Sequence, residues 1–510
     1  MQFVTDQMDL TARTHPDQIG FTDEHREITF SCLAEESRRL GTGIARLGER
    51  RQPVCIFMKK SIECIEAMLA VIYSGNFYTV IDVDMPESRI RKILEVLEPA
   101  AVVTTKAFED QAKEIFREIL EIHPGNLILY EDAVRMQQDP ELLSAIRAQQ
   151  QDSDTMFVLF TSGSTGVPKG VIISHRAELC HLAWIARAYG LDDGHMVLAS
   201  QVPMYFIMAA FDVFETIRTG GQCHLIPDKL FSFPVLLLQF LKERRINTLY
   251  IVPSVLCMIA NFRALPEVHL DHLKLVIFGG EVMPVKQLNQ WIREYPDTLF
   301  ADLYGATEVA DTLTWYNVPG ILDENETIPI GKCAGHMGIL ILDEDLKEVP
   351  DGEVGELCAT GPSLADGYYH DPERTAQVFT PNPLYQEGDS EDTKRIYHMG
   401  DLVRKDENGD LIYIGRKDFQ IKHMGHRIEL GEIETAAGSL EGIDRNCCLH
   451  QKETDQIVLF YTGDAEEEDT VIRLRDLLPD YMVPTRVEKL EQMPLNLNGK
   501  IDRALLKGYL

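Results

Sequence analysis

Up to about residue 400 the chain repeats one alternation: a short apolar run rich in β-branched residues, then a longer stretch whose apolar positions recur at helical spacing. "RQPVCIFM" precedes "SIECIEAMLAVIYSG", "AAVVTT" precedes "AFEDQAKEIFREIL", and "INTLYIVP" precedes "SVLCMIANF". Strand followed by helix, repeated in this way, predicts an α/β fold of layered, mostly parallel sheets, since parallel neighbours need a crossover helix. Near residue 400 the texture changes, and "KDENGDLIYIG" reads as a β-hairpin turning at Asn408-Gly409. A mixed α+β pattern follows. We expect a large N-terminal domain over residues 1–415 and a small α+β C-terminal domain over residues 416–510. No internal repeat interrupts the pattern.

Length and charge narrow the classes of function. At 510 residues the chain exceeds what one hydrophobic core organises, and its 45% hydrophobic and 25% charged content can fill a large core. Lysine and arginine number 49 against 81 acidic residues, a formal charge of -32. Nucleic acid and anionic membranes attract basic surface, so neither is expected as a partner. The ten cysteines form no CxxC pair, and Cys447 and Cys448 are too close for an ordinary disulfide. Reduced thiols without metal are the expectation. "MQFVTDQMDLTARTHPDQ" lacks the basic-then-apolar order of a secretory signal, and no apolar stretch reaches the ~18 residues of a membrane span. The expected location is the cytoplasm.

Chemistry first shows itself in "MFVLFTSGSTGVPKGVIISH", from Met156 to His175. Glycines let a backbone approach a ligand closely, hydroxyls add donors, and Lys169 adds a cation: together, the parts of a phosphate cradle. The loop is not a Walker A loop, which needs Gly-Lys followed by Ser or Thr and a helix, whereas Pro168 precedes this lysine and Gly170 follows it. A flexible linker shares the composition but is not held between two apolar runs.

Four further stretches stand in order behind it: "DLYGATEV" at Asp302 to Val309, "YHMGDLV" at Tyr397 to Val403, "GRKDFQIKHMGHRIELGEIE" at Gly415 to Glu434, and "PLNLNGKIDR" at Pro494 to Arg503. With these, the chain resembles the acyl-adenylate-forming (ANL) superfamily, which includes nonribosomal peptide synthetase adenylation domains and acyl-CoA synthetases. Its layout is most similar to free-standing amino-acid-activating ligases such as the D-alanine:carrier-protein ligases. The resemblance implies an enzyme that joins a carboxylic acid to ATP, releasing pyrophosphate, then passes the acyl group from AMP to a thiol. A carboxylate attacking a phosphate gathers negative charge, which calls for cations and preorganised donors.

The resemblance assigns roles residue by residue. Thr161, Ser162, Gly163, Ser164, Thr165, Gly166 and Lys169 would wrap the β- and γ-phosphates. Tyr304 and Gly305 would lie at adenine, with Asp302 meeting its amino group, and Gly279, Gly280 and Glu281 would form the opposite wall. Thr307 would contact phosphate, and Glu308 would hold Mg2+, a hard cation suited to carboxylate oxygen. Asp401 would accept the ribose hydroxyls, and Arg416 would add a ribose or phosphate contact. Met399 stands where the family usually has Thr. Lys500 would bridge the substrate carboxylate and the α-phosphate; Asp418 would be the hinge of a mobile C-terminal domain, and Gly425 would leave room for an incoming thiol arm. A non-catalytic binding protein of the same fold would have no reason to keep Lys169, Glu308, Asp401 and Lys500 together.

The activated acid is less clearly written. Amino-acid-activating members carry a Phe-Asp pair whose carboxylate meets the α-ammonium. Phe211-Asp212 has that composition but lies too near Thr219-Gly220-Gly221, and counting back without gaps puts Phe206-Ile207 at the motif. An ammonium facing Ile207 would lose its hydration without a partner. The same alignment lines the pocket with Ile207, Met208, Phe211, Ser254, Ile277, Gly279, Leu303, Asp311 and Thr312. Two substrates fit: an apolar acid without an α-ammonium, or an amino acid whose amine is held by Asp311. The acceptor is expected in trans, a carrier protein or coenzyme A, because no phosphopantetheine-bearing domain follows "GKIDRALLKGYL".

Overall fold

A computed structural model describes residues 3–122, 124–163, 167–191, 194–324, 326–417, 420–452, 454–495 and 501–510. Its contacts divide the chain into two compact units. One comprises Met1–Val83, Glu98–Leu159 and Val171–Lys417; the other comprises Asp84–Leu97, Phe160–Gly170 and Asp418–Leu510.

The first unit is the expected α/β layering. Six parallel strands, in the order Leu299–Tyr304, Leu275–Gly279, Thr248–Ile251, Val197–Ser200, Gln222–Leu225 and Ile19–Thr22, form the centre of a nine-stranded sheet. Antiparallel strands close both of its edges. A seven-stranded sheet has parallel strands Thr155–Thr161, Phe77–Ile81, Pro53–Phe57, Ala101–Thr104 and Leu127–Leu129 side by side. Helices such as Ile62–Tyr73, whose residues are almost all buried, pack between strands, so strand and helix both read as apolar runs. A third sheet of five antiparallel strands includes the hairpin of Arg395–Lys405 and Leu411–Arg416, with Gly409 at φ 77° in the turn.

One segment departs from the periodicity. The helix expected through "AFEDQAKEIFREIL" is split into Glu109–Ile115 and Arg117–Ile122, with Phe116 at φ -95°, ψ 19° between them. Phe116 is 1% exposed and meets the Phe57 ring edge-on at 5.6 Å, so burying the ring outweighs helical continuity.

The second unit holds the hairpin Gln420–His423/His426–Glu429, the helix Leu430–Gly438 and a three-stranded sheet built from Arg445–Gln451, Gln456–Thr462 and Arg486–Lys489. All ten cysteines are free thiols. No helix among the described residues is long and apolar enough to cross a membrane.

Candidate active site

The glycine-rich loop leaves the end of strand Thr155–Thr161, where backbone donors are no longer needed by a sheet. Two of its donors already hold oxygen. The Gly163 N–H donates to Glu432 Oε2 at 3.2 Å; the Ser162 hydroxyl donates to the Arg427 carbonyl at 2.5 Å and accepts from the Glu429 N–H at 3.2 Å. Glu432 is 3% exposed, and its other oxygen pairs with Arg89 of helix Glu87–Leu97, itself 4% exposed. The Thr161 hydroxyl is buried without a hydrogen-bond partner among the described residues, a group left for a ligand to satisfy. Lys169, at the start of strand Lys169–Ser174, is 8% exposed. Ser164, Thr165 and Gly166 lie outside the described residues.

A second cluster forms where strand Leu299–Tyr304 ends. Asp302 and Tyr304 are buried, and Tyr304 donates its hydroxyl to Asp401 Oδ2. Cross-strand register sets Arg416 opposite Asp401, and Arg416 Nη1 reaches Asp401 Oδ1 at 2.9 Å. Asp401 thus sits 4% exposed with a charged partner, the condition under which a carboxylate can be buried. Burial and the Asp401 charge together push the Tyr304 hydroxyl well above the usual phenol range, so it stays a donor. Met399 is 2% exposed in the same core.

The tight turn after this strand depends on Gly305, where a Cβ would lie 1.9 Å from the Asp311 carbonyl. Gly279 on the neighbouring strand is as constrained, a Cβ there falling 2.3 Å from the Leu303 carbonyl. Gly280 follows with φ 88°, and Glu281 Oε2 accepts the Ser254 N–H at 2.8 Å. The 3-10 turn Thr307–Val309 leaves Thr307 half-buried and buries Glu308 completely, where its Oε1 accepts the Tyr368 hydroxyl at 2.8 Å.

The residues expected to line an acid pocket gather on the first unit's core. Helix Ile207–Thr219 begins with half-buried Ile207 and carries buried Met208 and Phe211; Ile277, Leu303 and Thr312 are buried, and Ser254 is half-buried. The Phe211 ring meets Tyr250 edge-on at 5.2 Å, and the Tyr250 hydroxyl donates to Asp311 Oδ2 at 2.6 Å. Ala310 and Asp311 both have left-handed backbones, φ 49° and 87°, a strain that the surroundings must hold. Asp212, of the Phe211-Asp212 pair, is locked in the core at 1% exposure.

In the second unit, Met424 and Gly425 form the turn between strands Gln420–His423 and His426–Glu429, at φ 51° and 79°. Asp418 and Lys500 lie outside the described residues. Three residues of these clusters are given no role from the sequence: Tyr250, Tyr368 and Glu432. Glu432 sits inside a motif, but nothing local ties the two tyrosines to the carboxylates they meet.

The sequence profile of the AMP-binding enzyme family matches residues 8–369. The chain belongs to the AMP-binding enzyme family. It is 30% identical over 508 residues to a protein of the mycosubtilin synthase of Bacillus subtilis, covering 97% of this chain but only 19% of that protein. It is also 28% identical over 520 residues to a D-alanine--D-alanyl carrier protein ligase of Bacillus anthracis, covering 98% of both. The adenylation domain AlmE of Vibrio cholerae, solved in complex with glycyl-adenosine-5'-phosphate, superposes with a TM-score of 0.83 at 20% identity, covering 99% of this chain and 97% of that one. As an AMP-binding family member the chain is an enzyme of ATP-dependent adenylation.

Proposed function

We propose that this enzyme condenses a small carboxylic acid with ATP to an acyl-adenylate and then transfers the acyl group to the phosphopantetheine thiol of a carrier protein. In the first step a carboxylate oxygen bonds to the α-phosphorus as the bond to the leaving pyrophosphate breaks. In the second the thiol sulfur bonds to the acyl carbon, AMP leaves, and the thiol proton is released. The observation that carries the reading is Gly163, whose backbone N–H already seats an anionic oxygen of Glu432 in the same loop as the unsatisfied Thr161 hydroxyl. A loop that holds a carboxylate there can hold a phosphate oxygen.

Thr161, Ser162, Gly163, Ser164, Thr165, Gly166 and Lys169 would hold the departing pyrophosphate, and Thr307 another phosphate oxygen. Tyr304, Asp302, Gly279 and Gly280 would bound adenine; Asp401, oriented by Arg416, would accept the ribose hydroxyls. Buried Glu308 offers a hard carboxylate, and one carboxylate plus nucleotide phosphates is a set that Mg2+ takes. The ion would neutralise phosphate charge when bound. Lys500 would bridge the two reacting groups, then withdraw as residues 416–510 turn about Asp418 and bring Gly425 to the thiol's path.

Similarity to a protein named as a D-alanine--D-alanyl carrier protein ligase supports a carrier protein over free coenzyme A. Ile207 argues against an α-amino acid bound through its ammonium. ATP–pyrophosphate exchange over a panel of acids, followed by thioester assay with a phosphopantetheinylated carrier or coenzyme A, tests the reading. Exchange with at least one acid and thioester on the carrier is expected; fast turnover of coenzyme A overturns the carrier assignment.

A further inference from the structure

Helix His175–Tyr189, capped by the Ser174 hydroxyl and stopped by Gly190 at φ 65°, carries a residue that the adenylation chemistry leaves unused. Glu178 is 1% exposed, and neither of its carboxyl oxygens has a hydrogen-bond partner among the described residues. Such burial is costly and persists where something offsets it. Burial first, and then the nearby charges of Asp311 and Glu215, hold its pKa well above the carboxylate range. Glu215 is answered within its own helix by Arg218 at 2.7 Å. For Glu178 no such bonded cation is present among the described residues.

The helix face fixes where this carboxyl belongs. His181 lies three residues on, on the same face as Glu178, and its Nε2 is 3.2 Å from the Thr312 hydroxyl, next to Asp311. Asp311 is in turn bonded to Tyr250, which packs on Phe211. Glu178 therefore belongs to the buried surroundings of the Asp311–Thr312 segment, within electrostatic reach of Asp311. Where a carboxylate would meet an α-ammonium, at the first turn of helix Ile207–Thr219, stands Ile207 instead.

We propose that Glu178 and Asp311 form a carboxyl-lined end of the acid pocket, which receives a cationic nitrogen that the substrate carries away from its reacting carboxylate. The activated acid is then an ω-amino or guanidino acid, held by its far end. This inference rests on the adenylation reading. The arriving N–H donors give Glu178 the partners it lacks, and a charge-assisted bond formed in a dry pocket is the strong kind. An uncharged acid of the same length leaves the carboxyls as they were.

The test uses the full chain and matched acids: γ-aminobutyrate, δ-aminovalerate, ε-aminocaproate and γ-guanidinobutyrate, each against the unsubstituted acid of the same carbon chain, in ATP–pyrophosphate exchange. We expect at least one cationic acid to exceed its uncharged counterpart by about tenfold or more in kcat/KM, a preference that Glu178→Gln abolishes through KM. The wild-type comparison decides even where the variant does not fold. Exchange with uncharged acids only, or a preference unchanged in Glu178→Gln, overturns the inference and leaves adenylation standing. Exchange with no acid at all overturns adenylation, and the inference with it.

Discussion

The two clusters on the first unit handle buried carboxyl groups in opposite ways. Around Asp401, the carboxylate is met by Tyr304 and Arg416, so its geometry is fixed before any ligand arrives. Around Asp311, the neighbouring Glu178 is equally buried but has no hydrogen-bond partner among the described residues. The first arrangement suits a ligand common to a whole family, where pairing on the protein preorganises the acceptor. The second suits a ligand particular to this enzyme, because the missing partner is one that a substrate can bring. The proposed nucleotide and acid ends would then be built on one scaffold by different electrostatic means.

The largest effect is expected at Lys500, the residue proposed to serve both ends. Lys500→Ala should lower ATP–pyrophosphate exchange by about 10²–10³-fold with every acid alike, as loss of a preorganised charge does. Next comes the proposed nucleotide end: Asp401→Ala leaves half-buried Arg416 without this carboxylate and should raise the KM for ATP by roughly tenfold to a hundredfold, with acid preference unchanged. An equal rise in KM for acid and ATP would mean that the clusters are not separable. At the acid end, Ile207→Asp supplies a carboxylate at the first turn of helix Ile207–Thr219, and exchange with common α-amino acids should rise about tenfold. No rise would show that Ile207 does not face the substrate.

The smallest effect concerns pH. Asp212 is raised from 3.8 to about 7, mainly by burial, with Ser200 and Lys60 pulling the other way. Its folded pKa exceeds the unfolded one, so the folded state keeps the proton longer and stability falls as pH rises from about 4 to about 7. Thermal melts of Asp212→Asn across that window should show a flatter profile than the parent. An identical slope would remove Asp212 as its source.

Much of the architecture was legible because its signals are local. Alternating strand and helix patterns announced the α/β layers, and Asn408-Gly409 announced its hairpin, since each depends on a few adjacent residues. The split at Phe116 was not legible, for the partner that decides it, Phe57, lies on a strand far off in the sequence. In the site, motif residues far apart in the chain stand together: Tyr304, Asp401 and Arg416 converge. That Tyr304 gives its hydroxyl to Asp401, and Tyr368 its hydroxyl to Glu308, could not be read, because each bond joins distant residues.

Sequence alone determined the family and the fold class, and it supplied the residues proposed for phosphate, ribose and cation, because those rest on motifs whose chemistry is written in consecutive residues. Only the tertiary structure decided which of the many carboxylates are paired. Arg416 answers Asp401 and Arg218 answers Glu215, but Glu178 stands buried with no hydrogen-bond partner among the described residues. Whether a buried carboxyl finds a partner depends on which residues converge in space, and that is set by packing between elements that the chain keeps far apart.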